Sequence, residues 1–306
     1  MWGRVKVTKQ GFLQGAMILS IAGFISKLLG AIYRIPLARI LGGEGMGLYQ
    51  MAYPIYTSIL AMSTAGIPVA ISILVAEKLA NRDMGGAKRV FYVSLGLLTL
   101  TGLLFASLVF VSANFLAEKI LHEPRAFYAI IAISPAIFFT AVVSAFRGFF
   151  QGHQEMMPTA VSQVIEQLVR VITVLAGAIF LLPYGGEFAA GGATFGAVTG
   201  GVAALIVLII LYLRFYHLKS FPHGKERVSQ DGTLMVVRRI LKIAFPLSIG
   251  GLVMPLMQAT DAFFVPIRLQ ASGLSPARAT ELFGQLTGMA GSLINLPTII
   301  TISLAV

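Results

Sequence analysis

The chain has 306 residues, of which 57% are hydrophobic and 11% charged, and its mean hydropathy is +0.86. A soluble domain carries about 25% charged residues, so this composition excludes an ordinary soluble fold and predicts an all-α polytopic membrane protein. The formal net charge is +11, and the absence of cysteine excludes disulfides, thiol nucleophiles and thiolate metal sites in the chain.

A spanning helix needs about 20 apolar residues. Eight segments meet that length, near 12–40, 47–76, 89–113, 126–147, 158–182, 189–213, 240–268 and 282–306. The basic start, MWGRVKVTKQ, runs into the first of them without a small-residue cleavage site, which predicts a retained helix rather than a signal peptide. The first segment carries Lys27, Arg34 and Arg39. A cation at the centre of a membrane helix costs roughly 2.5–3.5 kcal/mol on insertion scales. Lys27 and Arg34 are two helical turns apart and share a face with Gly23, Gly30 and Ala31, whereas Arg39 points about 140° away from Arg34 on the helical wheel. Two long cations over small residues suit an anion pocket; the bland alternative is that both snorkel to opposite interfaces.

The glycine run Gly42–Gly47 lacks the preceding strand and the Lys-Ser/Thr ending of a nucleotide loop, and it reads as a tight turn at the outer face. Pro36, Pro54, Gly66 and Pro68 predict kinks or tilt in the first two segments. In the fifth segment Gln163, Glu166, Gln167 and Arg170 fall at i, i+3, i+4 and i+7, one polar stripe with Glu166 and Arg170 placed to pair. The stripe must face the protein interior or a water-filled cavity. It is either an internally neutralised structural pair or a cavity lining in which Arg170 offers charge to a substrate. In the sixth segment Gly192, Gly196 and Gly200 form a small-residue ridge for close helix packing. In the seventh, Asp261 has no basic neighbour within a turn. It needs a partner from another helix, such as Lys27 or Arg34, or it titrates as a coupling carboxylate for H+ or Na+. Asn295 and Pro297 mark a backbone break in the eighth.

The connections set orientation. One set of loops holds Arg4, Lys6, Lys9, Lys78, Arg82, Lys88, Arg89, Arg147, Arg214, Lys219, Lys225, Arg227, Arg238, Arg239 and Lys242; the alternate set holds Lys119, Arg125, Arg268 and Arg278. The positive-inside rule then predicts a cytoplasmic N-terminus and accounts for the basic balance without nucleic acid. Ser20–Gly23 resembles Ser248–Gly251, and Ile67–Ser72 resembles Leu296–Thr301, at offsets of 228 and 229 residues. Six intervening spans imply a parallel repeat, an arrangement found in transporters. The expected organisation is a six-helix lobe over 1–216, a cytoplasmic linker over 217–239, and the first two helices of a second lobe over 240–306. The apolar final stretch, with no flanking charge, is expected to mark a truncated lobe. The four histidines fall in loops without metal-site spacing, no catalytic motif is present, and no cofactor is expected.

The runs SKLLGAIYRIPLARILGGEGMGLYQMAYPIY, STAGIPVAIS, FRGFFQGHQEMMPTAVSQVIEQLVRV and ATELFGQLTGMAGSLINLPTIITISLAV resemble the polysaccharide-exporter and lipid-flippase (MOP) superfamily, in particular its stage V sporulation protein B branch, which is related to the lipid II flippases. The resemblance implies a MATE-like fold of two six-helix lobes around a central cavity, in the bacterial cytoplasmic membrane. It implies alternating access that carries an undecaprenyl-pyrophosphate-linked glycan between leaflets, with basic cavity residues meeting the pyrophosphate. Lys27 falls where the lipid II flippases carry a basic residue; their next basic position is Tyr33 here, with Arg34 one residue on. The candidate substrate residues are therefore Lys27, Arg34, Arg170, Glu166 and Gln163, with Asp261 for ion coupling. The expected partners are a lipid-linked anionic glycan and membrane lipids. Two other readings stay open: an ion-coupled multidrug exporter on the same fold, and a non-transporting membrane assembly factor.

Overall fold

The computed structural model describes residues 9–64, 66–218, 232–291 and 294. All regular structure among them is helical: α1 (Lys9–Ile32), α2 (Arg34–Thr64), α3 (Ile67–Ala80), α4 (Met84–Phe115), α5 (Phe127–Gly152), α6 (Met156–Leu181), α7 (Gly186–Leu218), α8 (Thr233–Ala271) and α9 (Pro276–Phe283), with π turns over Leu116–Ile120 and Gly284–Ala290. Six stretches are long and apolar enough to cross a membrane. The first, Leu13–Ala80, runs for 68 residues, about 100 Å at the helical rise, so it crosses more than once.

The breaks in that stretch have local causes. Pro36 has no N–H for the carbonyl four residues before it, and the helix bends at Tyr33. Gly42 adopts φ 65°, ψ −173°, a conformation open only to glycine, and separates residues 34–41 from 43–64. The expected outer turn is thus confined to Gly42: Gly43–Gly47 are helical, a correction to the reading of the whole run as a turn. Gly66, at φ 74°, ends the next piece, and Pro68 sits in the first turn of α3, where its missing N–H costs nothing.

The central helix is α5, packed on α2, α3, α4 and α7. One apolar cluster joins α3, α4, α5 and α7 with the first turns of α8, around Phe91, Phe149 and Phe150. A second lies towards the α4–α5 connection, around Leu48, Met51, Ile133 and Phe283. A third, with Tyr33, Leu37, Tyr49 and Val174, joins α2 and the bend before it to α6 and α7. The helix α8 touches this bundle at both ends: Val236, Ile240 and Ala244 are buried at one, Ala262 and Pro266 at the other, and no described residue between Ala244 and Ala262 is buried. Pro246 and Pro255 fall in that less buried middle. Most of the eighth predicted segment, including Asn295, Pro297 and the 296–301 copy of the repeat, lies outside the described residues, as does most of the 217–239 linker.

Candidate functional site

The polar stripe of α6 is met by a charge that its spacing did not reveal. Arg147, expected in a loop, lies inside α5, one turn before its end. Its Nη2 donates to Glu166 Oε2 at 2.8 Å, and its Nε donates to Ser162 Oγ at 3.1 Å. Arg170 Nη2 donates to the other carboxylate oxygen, Glu166 Oε1, at 2.6 Å. One carboxylate therefore serves two guanidiniums on two helices, and all three side chains are less than a fifth exposed. Arg170 Nε and Gln163 Oε1 are buried and have no hydrogen-bond partner among the described residues. A buried ionic group with an unmet donor is costly, so this cluster holds capacity for a further acceptor.

Two features seat the cluster. The ridge of α7 packs on the backbone that carries it: a Cβ at Gly200 would lie 2.8 Å from the Glu166 carbonyl and 3.1 Å from Arg170 Cβ. Higher up, Gly192 meets the backbone of Gly177. The ridge is thus structural, and it fixes the height of Glu166 and Arg170. On the other side α1 lies along α6, where a Cβ on Gly30 would sit 3.1 Å from Gln167 Nε2. Gly30 therefore makes room for Gln167, not for a ligand between Lys27 and Arg34.

Tyrosines complete the surroundings. Tyr49, Tyr53 and Tyr56 recur at i, i+4 and i+7 on α2, with ring centroids 6.0 Å and 5.8 Å apart along the row. Tyr33 Oη and Tyr49 Oη are 3.0 Å apart, and Tyr56 Oη lies 3.2 Å from Thr140 Oγ1 on α5. Arg34 is half-buried within electrostatic reach of Tyr33, Tyr49 and Tyr53, and Arg170 is within reach of Tyr33, Tyr53 and Tyr56. The tyrosine row thus joins Arg34 to Arg170. Phenol oxygens around a guanidinium supply the dipoles that water would supply outside.

The sequence-predicted residues divide accordingly. Arg34, Glu166, Arg170 and Gln163 fall in or beside the cluster. Lys27 is exposed on α1 with no hydrogen bond or ion pair among the described residues, and Gly23, one turn away, faces open space. Asp261 is exposed on α8 and pairs with neither Lys27 nor Arg34. Arg147 and the tyrosine row went unread. The spacing of Tyr49, Tyr53 and Tyr56 was a visible signal, as were Phe149 and Phe150, which carry the apolar stretch past Arg147. No group of three or more metal-ligating side chains exists among the described residues.

A second charged network lies at the α4–α5 connection. Glu123 is 2% exposed and accepts from Arg125 Nε at 2.8 Å and Arg125 Nη2 at 2.9 Å. Arg125 Nη1 also bonds Glu44. Thr280 Oγ1 on α9 donates to Glu123 Oε2 at 2.7 Å. Burial pushes the Glu123 carboxyl up, but its bonds from Arg125 and Thr280 outweigh that and hold it below the usual carboxylate range.

The multi-pass helical bundle has a MATE-like fold. Solved structures of that fold superpose on it: a MATE transporter in its straight conformation (TM-score 0.67, 18% identity, 97% of this chain and 63% of that one) and a MOP superfamily transporter from Pyrococcus furiosus (TM-score 0.63, 18% identity, 98% and 71%). Residues 12–304 match the polysaccharide biosynthesis protein family, and the chain belongs to it. It is 35% identical to stage V sporulation protein B of Bacillus subtilis over 98% of its own length and 57% of that protein's. It is 34% identical to the lipid II flippase MurJ of the same organism over 65% of its own length and 39% of that protein's. The chain thus spans about half the length of these curated relatives.

Proposed function

We propose that this chain forms the first lobe, and the start of the second, of an alternating-access flippase for a lipid-linked glycan with a pyrophosphate bridge, such as lipid II. The observation that carries the reading is the charge of the buried cluster: Arg147 and Arg170 share the single carboxylate of Glu166. Such an excess is held at a cost that an anionic ligand would offset. The unmet Nε of Arg170 is a donor a phosphate oxygen could use, because a guanidinium fork matches phosphate geometry. Similarity to the lipid II flippase of Bacillus subtilis supports the substrate class.

In this mechanism the headgroup enters between the lobes and the isoprenoid tail stays in the bilayer. Arg34 and Arg170 meet the pyrophosphate, while Arg147 holds Glu166 so that the carboxylate does not sequester Arg170 fully. Lys27, exposed on α1, is the first cation met on the way in. Asp261, exposed and without an ion-pair partner among the described residues, is the candidate for H+ or Na+ coupling. The lobes divide at the 217–239 linker, and the N-terminus faces the cytoplasm of a bacterial cell.

The test is leaflet transfer in proteoliposomes carrying the full-length protein, with lipid II and other lipid-linked sugars offered in parallel. Arg34→Ala and Arg170→Ala should each abolish transfer with expression retained. A normal rate in the double variant would sink the site, and transfer of small cationic drugs in place of lipid-linked sugars would favour the exporter reading.

A further inference from the structure

The network at the α4–α5 connection has no part in holding an anion, yet it contains Glu123, the most buried carboxylate among the described residues outside the central cluster. Its bonds join residues far apart in the chain: Glu123 and Arg125 precede α5, Glu44 opens the second part of α2, and Thr280 lies on α9, fully buried. The same end holds the tightest backbone approach between α2 and α9. A methyl group added at Gly47 would strike the Thr280 carbonyl, and one at Gly284 would strike the Gly43 carbonyl. A Cβ at Gly43 would sit 2.7 Å from Glu281 Cγ, and one at Gly288 would strike Met46, which is fully buried. Glycines thus let two helices meet backbone to backbone, and a charge-assisted hydrogen bond ties them at the same level.

We propose that this seam is a latched gate: Glu123, oriented by Arg125, holds Thr280 and thereby closes α9 onto Gly43 and Gly47, and the bond breaks when that end of the molecule opens. The form of α8 fits a moving part. Its first turns are locked into the bundle by Val236, Ile240 and Ala244, and its last turn lies beside α9. The middle, with Pro246, Gly250, Gly251 and Pro255, contains no fully buried residue. Opening the seam can therefore bend that arch without taking apart the core. The π turn over Gly284–Ala290 places a local irregularity of the helix at the seam itself. The gate rests on the transport reading only for its purpose; the latch is a property of the contact.

The chain has no cysteine, so a single Met46→Cys substitution in the full-length protein, cleared of any cysteine elsewhere, reports the seam by maleimide labelling in permeabilised membranes. With the rest of the sequence unchanged it should label slowly. Adding Thr280→Val should raise the labelling rate about tenfold, the scale of losing one hydrogen bond to a charged group. Gly47→Ala should act in the same direction by wedging the helices. Thr280→Ser, which keeps the hydroxyl, should label as slowly as the parent, which separates loss of the bond from misfolding. Fast labelling of the parent, or equal rates in all four proteins, overturns the latch. A latch that responds as described in a protein that transfers no lipid-linked sugar would leave the gate standing and remove the proposed substrate.

Discussion

The two charged networks are built from the same groups and solve opposite problems. At the α4–α5 connection, Arg125 lies between Glu123 and Glu44, and Thr280 adds a further donor, so every charge there has a partner in the protein. In the core of α5 and α6, Glu166 alone answers Arg147 and Arg170, and Arg34 stands nearby among tyrosines. The first network is closed and acidic in balance; the second is open and basic. A closed network satisfies its own charges, whereas an open one retains an unmet donor, the feature on which the proposed anion site rests. Burial alone does not distinguish the two networks, because both sets are buried; the balance of charge and partners does.

The largest effect that would break this contrast comes from Glu166→Ala. It leaves two buried guanidiniums without their carboxylate and should destabilise the protein by about 3–5 kcal/mol, read as a lowered unfolding midpoint in detergent. Added pyrophosphate should recover part of that loss if the cluster is an anion site, because a ligand bound only to the folded state stabilises it. Next, Gly200→Val pushes α7 away from the Glu166 carbonyl and should cost about 1–3 kcal/mol while reducing transfer, since it displaces Arg170 without touching a charge. Smaller again is the effect of pH on the network at the α4–α5 connection. The folded pKa of Glu123 is depressed, so its contribution is fully present above the ordinary carboxylate range and is lost as the pH falls through the depressed value. The stability difference between the wild-type protein and Glu123→Gln should accordingly shrink on acidification and stay flat from neutral to mildly alkaline pH. The smallest effect belongs to Arg239→Ala: Arg239 and Glu77 pair at 2.7 Å, but both side chains are 42% exposed, and their loss should cost at most about 1 kcal/mol.

Much of the site was readable because helical spacing places residues on faces. The i, i+4 relation of Glu166 and Arg170 gave their pairing, and the four-residue glycine period in α7 gave its packing face, though not that the packed backbone would be that of Glu166. Spacing failed where a contact joined two helices. Positive charge near a predicted helix end reads as topology, so the sequence places Arg147 in a loop, and only the fold shows Glu166 across from it. The pocket expected between Lys27 and Arg34 met the same limit: Gly30 lies on the shared face, but Gln167 of α6 fills the space beside it.

Composition and apolar run length alone determined that this is a helical membrane protein of many spans, because a bilayer leaves a chain few ways to satisfy its backbone. Pro36, Gly42, Gly66 and Pro68 determined most of the breaks through their own φ limits and missing donors. Local chemistry of that kind needs no partner. Which charges are neutralised, which tyrosines surround a guanidinium, and which glycines bring α2 against α9 were decided only by tertiary structure. Each is a relation between helices many residues apart, and a one-dimensional period carries no information about the rotation and height at which two helices meet.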